Sequence, residues 1–338
     1  MKIKTVRTDY QTALSMAENR HKLPQRPNFL LRKVMALASL GELHKTHFKV
    51  KRIGMEKLPA GEPCLILMNH SSFIDLKIAA TVFADRPFNI VCTSDGLVGK
   101  SFLMRKLGCI PTNKFITDLV LVKDMVYALH TLKNSVLLYP EASYSFDGTA
   151  TPLPESLGKC IKLLKVPVIM VKTYGAFQHD PLYNNLQLRQ VDVSADIEYV
   201  LSKEEIAQKG AKEISALIKE KFTFDNFRWQ QQNRICVKEP FRADYLNRVL
   251  YKCPECGREG SMEGHGITLR CENCHKEYQL TEDGYLKAVD GETRYSHVPD
   301  WYQWQRECVS EELEKESYKL ECEVEIGVMV NLRSIYLV

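Results

Sequence analysis

Apolar residues in this chain fall into short runs separated by amphipathic stretches. Pro63-Cys64-Leu65-Ile66-Leu67-Met68, Pro87-Phe88-Asn89-Ile90-Val91-Cys92, Val136-Leu137-Leu138 and Val166-Pro167-Val168-Ile169-Met170-Val171 have the length and continuity of buried strands. Residues 109–112 read as a shorter strand or turn entry. Residues 101–107 read as a helix that stops at Gly108, and residues 118–133 carry helical spacing through Leu119, Val122, Val126 and Leu129. Pro154-Glu155-Ser156-Leu157-Gly158-Lys159 opens a further helix. Alternation of this kind predicts an α/β fold, a sheet with helices on its faces, whose active residues gather in the turns at strand ends.

The flanks are patterned differently. Residues 27–38 have helical spacing, with Leu30, Val34, Leu37 and Ala38 able to share one face. Ser202 and Glu205 have capping-box spacing for a helix to about residue 221, with Ile206, Ile214, Leu217 and Ile218 as its apolar face. Residues 222–229 are aromatic and pack that helix back. Beyond Trp301 and Trp304, residues 311–316 form an acidic helical stretch, and residues 321–326 alternate as a strand with one solvated face. The pattern divides the chain into a basic amphipathic N-terminal helical region (1–60), an α/β domain (61–230), a small cysteine-bearing module (248–282) and an α/β extension (283–338) that a longer native chain could continue past Val338.

Composition narrows the class. The 338 residues are 45% hydrophobic and 26% charged, as in a globular protein. Apolar runs of 18 or more residues and a secretory h-region are both missing from the sequence, and the 11 cysteines include no secreted framework; this predicts a cytoplasmic protein with reduced thiols. The net charge of +4 is uneven: residues 1–60 hold 13 Lys and Arg against 4 Asp and Glu, +9, leaving −5 for the rest. A basic amphipathic N-terminal helix predicts contact with an anionic membrane surface, peripheral and on the inner face.

Candidate chemistry begins at Met68-Asn69-His70-Ser71-Ser72-Phe73-Ile74-Asp75. Ser72 and Asp75 have capping-box spacing, which predicts a helix start at Ser72. With His70 in the turn before the helix and Asp75 in its first turn, the imidazole can fold onto the carboxylate. Asp75 then fixes the tautomer and leaves the other ring nitrogen as a general base. The plainer alternative is that Asp75 only caps the helix. A second apolar run ends in Tyr139-Pro140-Glu141-Ala142-Ser143-Tyr144-Ser145. Cys253-Pro254-Glu255-Cys256 and Cys271-Glu272-Asn273-Cys274 are paired C-x2-C knuckles, able to surround one structural Zn²⁺ with four thiolates as in zinc ribbons. Acidic residues balance the basic ones around the knuckles, so nucleic acid is a poor partner and a structural or protein-contact role fits better.

The ordered Asn-His-x4-Asp turn, Pro-Glu-x-Ser turn and following Val-Pro-Val strand resemble the glycerolipid acyltransferase family, of which the 1-acylglycerol-3-phosphate (lysophosphatidic acid) acyltransferases are the best known. The resemblance covers roughly residues 25–225. It implies an O-acyltransferase that moves an acyl group from acyl-CoA or acyl carrier protein to a lysolipid hydroxyl. His70 and Asp75 would be catalytic, with Asn69, Asn113, Lys114, Glu141 and Ser143 on the acceptor. Gly158 matches a family glycine that precedes the helix under the substrate cleft. Two departures stand out: where the family has Glu-Gly-Thr-Arg-Ser, this chain has Glu141-Ala142-Ser143-Tyr144-Ser145. Tyr144 brings no charge to a phosphate, which points to an acceptor with another head group. The alternative is an inactive acyltransferase-like scaffold with a zinc-ribbon contact module.

Overall fold

The computed structural model describes residues 4–16, 21–113, 118–325, 327–328 and 334–337. A strand β1 (Lys4–Arg7) and helix α1 (Tyr10–Ser15) precede helix α2 (Phe29–Lys45). The Asn28 side chain caps α2 by accepting from the Leu31 N–H at 3.1 Å. Seven strands then form the central sheet: β2 (Lys49–Ile53), β3 (Leu65–Met68), β4 (Phe88–Thr93), β5 (Cys109–Thr112), β6 (Ser135–Leu138), β7 (Val168–Tyr174) and β8 (Ser194–Leu201). Their order is β2-β8-β7-β3-β6-β4-β5. The five strands from β7 to β5 run parallel, β8 is antiparallel to β7, and β2 is parallel to β8. Since β2 joins this sheet, the sheet begins before residue 61.

Five helices interleave with the strands: α3 (Ile74–Val82), α4 (Ser101–Lys106), α5 (Leu119–Val126), α6 (Leu157–Leu164) and α7 (Ala176–His179). Strand side chains alternate between two cores. Leu65, Leu67, Val136, Val168 and Met170 pack with Leu129 and Ile161 on one face. Ile66, Met68, Leu137, Ile169 and Val171 pack with Ile74, Ile78 and Leu43 on the other. Helices cover both faces, so the inner strands are apolar throughout rather than alternating.

The single helix predicted for 202–221 is two: α8 (Lys203–Gln208), with the Ser202–Glu205 capping box formed, and α9 (Ala211–Phe222), broken at Lys209-Gly210. Gly158 lies inside α6 and does not precede it. A Cβ there would meet the Ala211 carbonyl oxygen at 2.1 Å, so the glycine lets α6 and α9 touch. Helix α10 (Asn226–Gln232) follows.

The cysteine module is a four-stranded antiparallel sheet of β9 (Met262–His265), β10 (Thr268–Cys271), β11 (Glu277–Leu280) and β12 (Leu286–Ala288). Helix α11 (Val298–Glu314) starts well before the acidic stretch that announced it. Fully buried Trp301 donates from Nε1 to the Lys252 carbonyl at 3.0 Å and packs edge-on against Tyr278. A third core joins Leu269, Tyr278 and Trp301 to Phe177, Tyr183 and Phe227, and His297 pairs with Asp225 at 2.7 Å. The module is seated on the first unit. The strand predicted over 321–326 is absent: residues 321–325 have no regular structure, and Ile326 lies outside the described residues. Instead β13 (Gly327–Val328) and β14 (Ser334–Leu337) form a small sheet with β1.

Candidate active site and a four-cysteine cluster

His70 follows β3, and Tyr139 to Ser145 follow the adjacent parallel strand β6, so both turns lie at one edge of the sheet. The turns are cross-linked, because the Ser145 N–H donates to the His70 carbonyl at 2.7 Å. His70 Nδ1 lies 3.1 Å from Asp75 Oδ2. The same oxygen accepts from the Ser71 N–H at 2.7 Å and the Ser72 N–H at 3.0 Å. Asp75 is wholly buried while about a fifth of the His70 side chain is exposed. A carboxylate so placed accepts a hydrogen bond from Nδ1–H, which leaves Nε2 as the ring nitrogen able to take a proton.

The predicted helix start needs correction. α3 begins at Ile74 behind Phe73, with no side-chain cap, and the Ser72 hydroxyl caps nothing. Asp75 reaches backward instead, so it both ties down the turn and orients the imidazole.

Two tyrosines enclose the imidazole. The Tyr139 ring stacks on it at a centroid distance of 4.0 Å and 22°, and the Tyr144 ring tilts against it at 4.2 Å and 46°. Burial, then Asp75, push the Tyr139 phenol well above its usual range, and its hydroxyl has no partner. Burial, then Asp75 and Asp180, push Tyr144 up to about 12, so it is a neutral hydroxyl at working pH. Tyr144, the departure singled out in the sequence, thus sits on the His70 imidazole. The sequence signal was that departure; its contact with His70 depends on how two distant turns meet.

Glu141 is braced rather than open. Its Oε1 accepts from the His70 N–H at 3.1 Å and Oε2 from the Thr151 N–H at 2.7 Å. Burial raises its pKa, and those two N–H groups oppose the rise. Asn69 is likewise occupied: Oδ1 accepts from the Thr173 N–H at 2.8 Å and Nδ2 donates to the Ser71 hydroxyl at 2.9 Å. Both therefore also serve as struts of the turns. Ser143 is exposed. Asn113 follows β5, three strands from β3 or about 14 Å away, where its Oδ1 accepts from the Ser94 hydroxyl. Lys114 lies outside the described residues. Ala142, in the family's glycine position, keeps a left-handed φ of 59°. Sequence reasoning missed Asp180, which is 1% exposed and accepts from the Phe73 N–H at 3.0 Å.

The Sγ atoms of Cys253, Cys256, Cys271 and Cys274 all lie within 4.8 Å of one another. The Cys253–Cys274 and Cys256–Cys271 separations are 3.6 and 3.8 Å. Four sulfurs at 2.3 Å from a tetrahedral Zn²⁺ stand about 3.8 Å apart, so the cluster fits that ion.

Among the described residues, no helix is long and apolar enough to cross a membrane. α2 nevertheless presents Phe29, Leu30, Val34 and Leu37 outward, 62–70% exposed. Exposed Phe102 of α4 lies under the Lys106 ammonium, and Asn28 at the start of α2 donates to the Lys106 carbonyl.

Residues 49–172 match the family described as Acyltransferase. The 1-acyl-sn-glycerophosphate (LPA) acyltransferase PlsC from Thermotoga maritima aligns with a TM-score of 0.42 and 17% identity, over 56% of this chain and 76% of that one. No curated protein matches the chain in sequence.

Proposed function

We propose, from the match of residues 49–172 to the Acyltransferase family model, that the chain transfers an acyl group from an acyl thioester to a lysolipid hydroxyl. The observation that carries this reading is the contact between His70 Nδ1 and buried Asp75, with Nε2 unengaged. Nε2 takes the proton of the acceptor hydroxyl as its oxygen attacks the thioester carbonyl carbon. The tetrahedral intermediate collapses with loss of the C–S bond, and the departing thiolate takes the proton from His70. Asp75 balances the imidazolium between those steps. Acyl-CoA or acyl carrier protein supplies the thioester. Tyr144, neutral and against the imidazole, favours an acceptor head group without a phosphate there.

Cys253, Cys256, Cys271 and Cys274 would hold a structural Zn²⁺, whose part is to fold the module seated on α10 and α11. The exposed apolar face of α2, with Phe102 of α4 and basic Lys33 and Lys106, would rest on an anionic membrane surface and hold the site near its acceptor. Leu30→Glu with Leu37→Glu should abolish flotation with anionic vesicles; unchanged flotation removes this contact.

Acyl transfer is tested by thiol release from long-chain acyl-CoA against a panel of lysolipids and neutral alcohols. His70→Ala should lower turnover by about 10² to 10⁴-fold. Wild-type turnover in that variant refutes the mechanism, and no turnover from any donor would leave the inactive lipid-binding scaffold.

A further inference from the structure

Asp180 follows α7, which comes after β7 in the chain. Its Oδ2 accepts from the Phe73 N–H at 3.0 Å, the Ser72 hydroxyl lies beside it, and its Oδ1 has no partner. Ser72 and Phe73 join the His70 turn to α3. Two buried carboxylates thus divide three successive N–H groups: Asp75 takes those of Ser71 and Ser72, and Asp180 takes that of Phe73. With no side-chain cap at Phe73, the backbone donors of the turn that leads into α3 are satisfied from these two acids.

We infer that Asp180 is a positioning residue for acyl transfer, holding the Ser72-Phe73 turn so that Asp75 stays against His70. This rests on the proposed role of His70 as base.

The groups around Asp180 have a common sign. Asp75 of α3 and Glu42 of α2 face it, as does Tyr144 from the turn after β6. Lys77 of α3 is already paired with Glu42. His179 donates from Nδ1 to the Arg189 carbonyl and turns Nε2 toward Glu42 at 3.5 Å. Burial, followed by Asp75 and Glu42, raises the Asp180 carboxyl to about 7, against the pull of Ser72 and the Phe73 N–H. Below that pH it is a neutral acid and a weak acceptor. Above it, it is a carboxylate that grips the Phe73 N–H more strongly. The turn is therefore held best where Asp180 is ionised.

The experiment is kcat and KM between about pH 5 and 9 for wild type, Asp180→Asn and Asp180→Ala. In wild type, kcat should carry a rise of up to about tenfold with increasing pH where Asp180 ionises. Asp180→Asn keeps an oxygen for the Phe73 N–H but cannot ionise. It should stay within about tenfold of wild type, with an unchanged KM and without that rise. Asp180→Ala orphans that N–H and should lose about 10- to 100-fold in kcat with KM retained. The same rise in Asp180→Asn, or wild-type kcat in Asp180→Ala, overturns the inference. Exchange of the Phe73 amide hydrogen, read without substrate, should rise in Asp180→Ala and not in Asp180→Asn. Unchanged exchange in Asp180→Ala overturns the positioning role even if acyl transfer itself proves absent. Should the alanine variant fail to fold, the pH profile of Asp180→Asn decides.

Discussion

Asp75→Asn separates the two jobs of this side chain. Oδ2 of Asp75 accepts from two backbone N–H groups, Ser71 at 2.7 Å and Ser72 at 3.0 Å, as well as from His70. An asparagine must present its oxygen there, because its NH₂ would confront both donors. That oxygen still accepts from Nδ1, so the tautomer survives and only the negative charge is lost. Two bounds can be set on that loss. A hydrogen bond to a charged group contributes roughly 1 kcal/mol more than a neutral one. Unit charges about 4 Å apart attract by about 4 kcal/mol at an effective dielectric of 20. The imidazolium formed as the acceptor hydroxyl ionises should therefore cost between about 1 and 4 kcal/mol more in the variant, or about 5- to 10³-fold in kcat. KM should not move, because Asp75 is wholly buried. The assay is thiol release from acyl-CoA under saturating acceptor, with a thermal melt as the folding control. A folded Asp75→Asn protein with kcat within about twofold of wild type would refute the claim that Asp75 balances the imidazolium. A loss beyond about 10⁴-fold would show that the asparagine had flipped and imposed the other tautomer.

Two further outcomes test the remaining assignments. Purified protein kept reduced should contain about one zinc per chain, and Cys271→Ser should lose the metal and loosen residues beyond Arg248; metal analysis without zinc removes the assignment. Tyr144→Arg should improve use of lysophosphatidic acid by about ten- to a hundredfold relative to a neutral acceptor; competition between the two acceptors checks this, and a wild-type preference for lysophosphatidic acid that the arginine leaves unimproved overturns the Tyr144 argument.

What the sequence by itself determined is local. The apolar runs that became β3, β6 and β7 were legible because helices cover both faces of these strands and permit few polar residues. The four-cysteine cluster was legible because two C-x2-C knuckles carry their own turn geometry. The pairing of His70 with Asp75 lay within five residues and was read correctly, although the cap was assigned to the wrong partner. The strands β2 and β8 were missed: β2 is exposed along its length, and β8 buries alternate residues, so neither shows a continuous apolar run. What only tertiary structure decided is which distant turns meet. Glu141 became a brace because its two oxygens found the N–H groups of His70 and Thr151, 71 and 10 residues away. Tyr144 came to rest on the imidazole because β3 and β6 are neighbours in the sheet. Asp180 reached the start of α3 from 107 residues further along the chain. Periodicity reports which face of an element is buried, but not which other element covers it. The partners of a buried carboxylate are set by sheet order, and sheet order is a property of the folded chain.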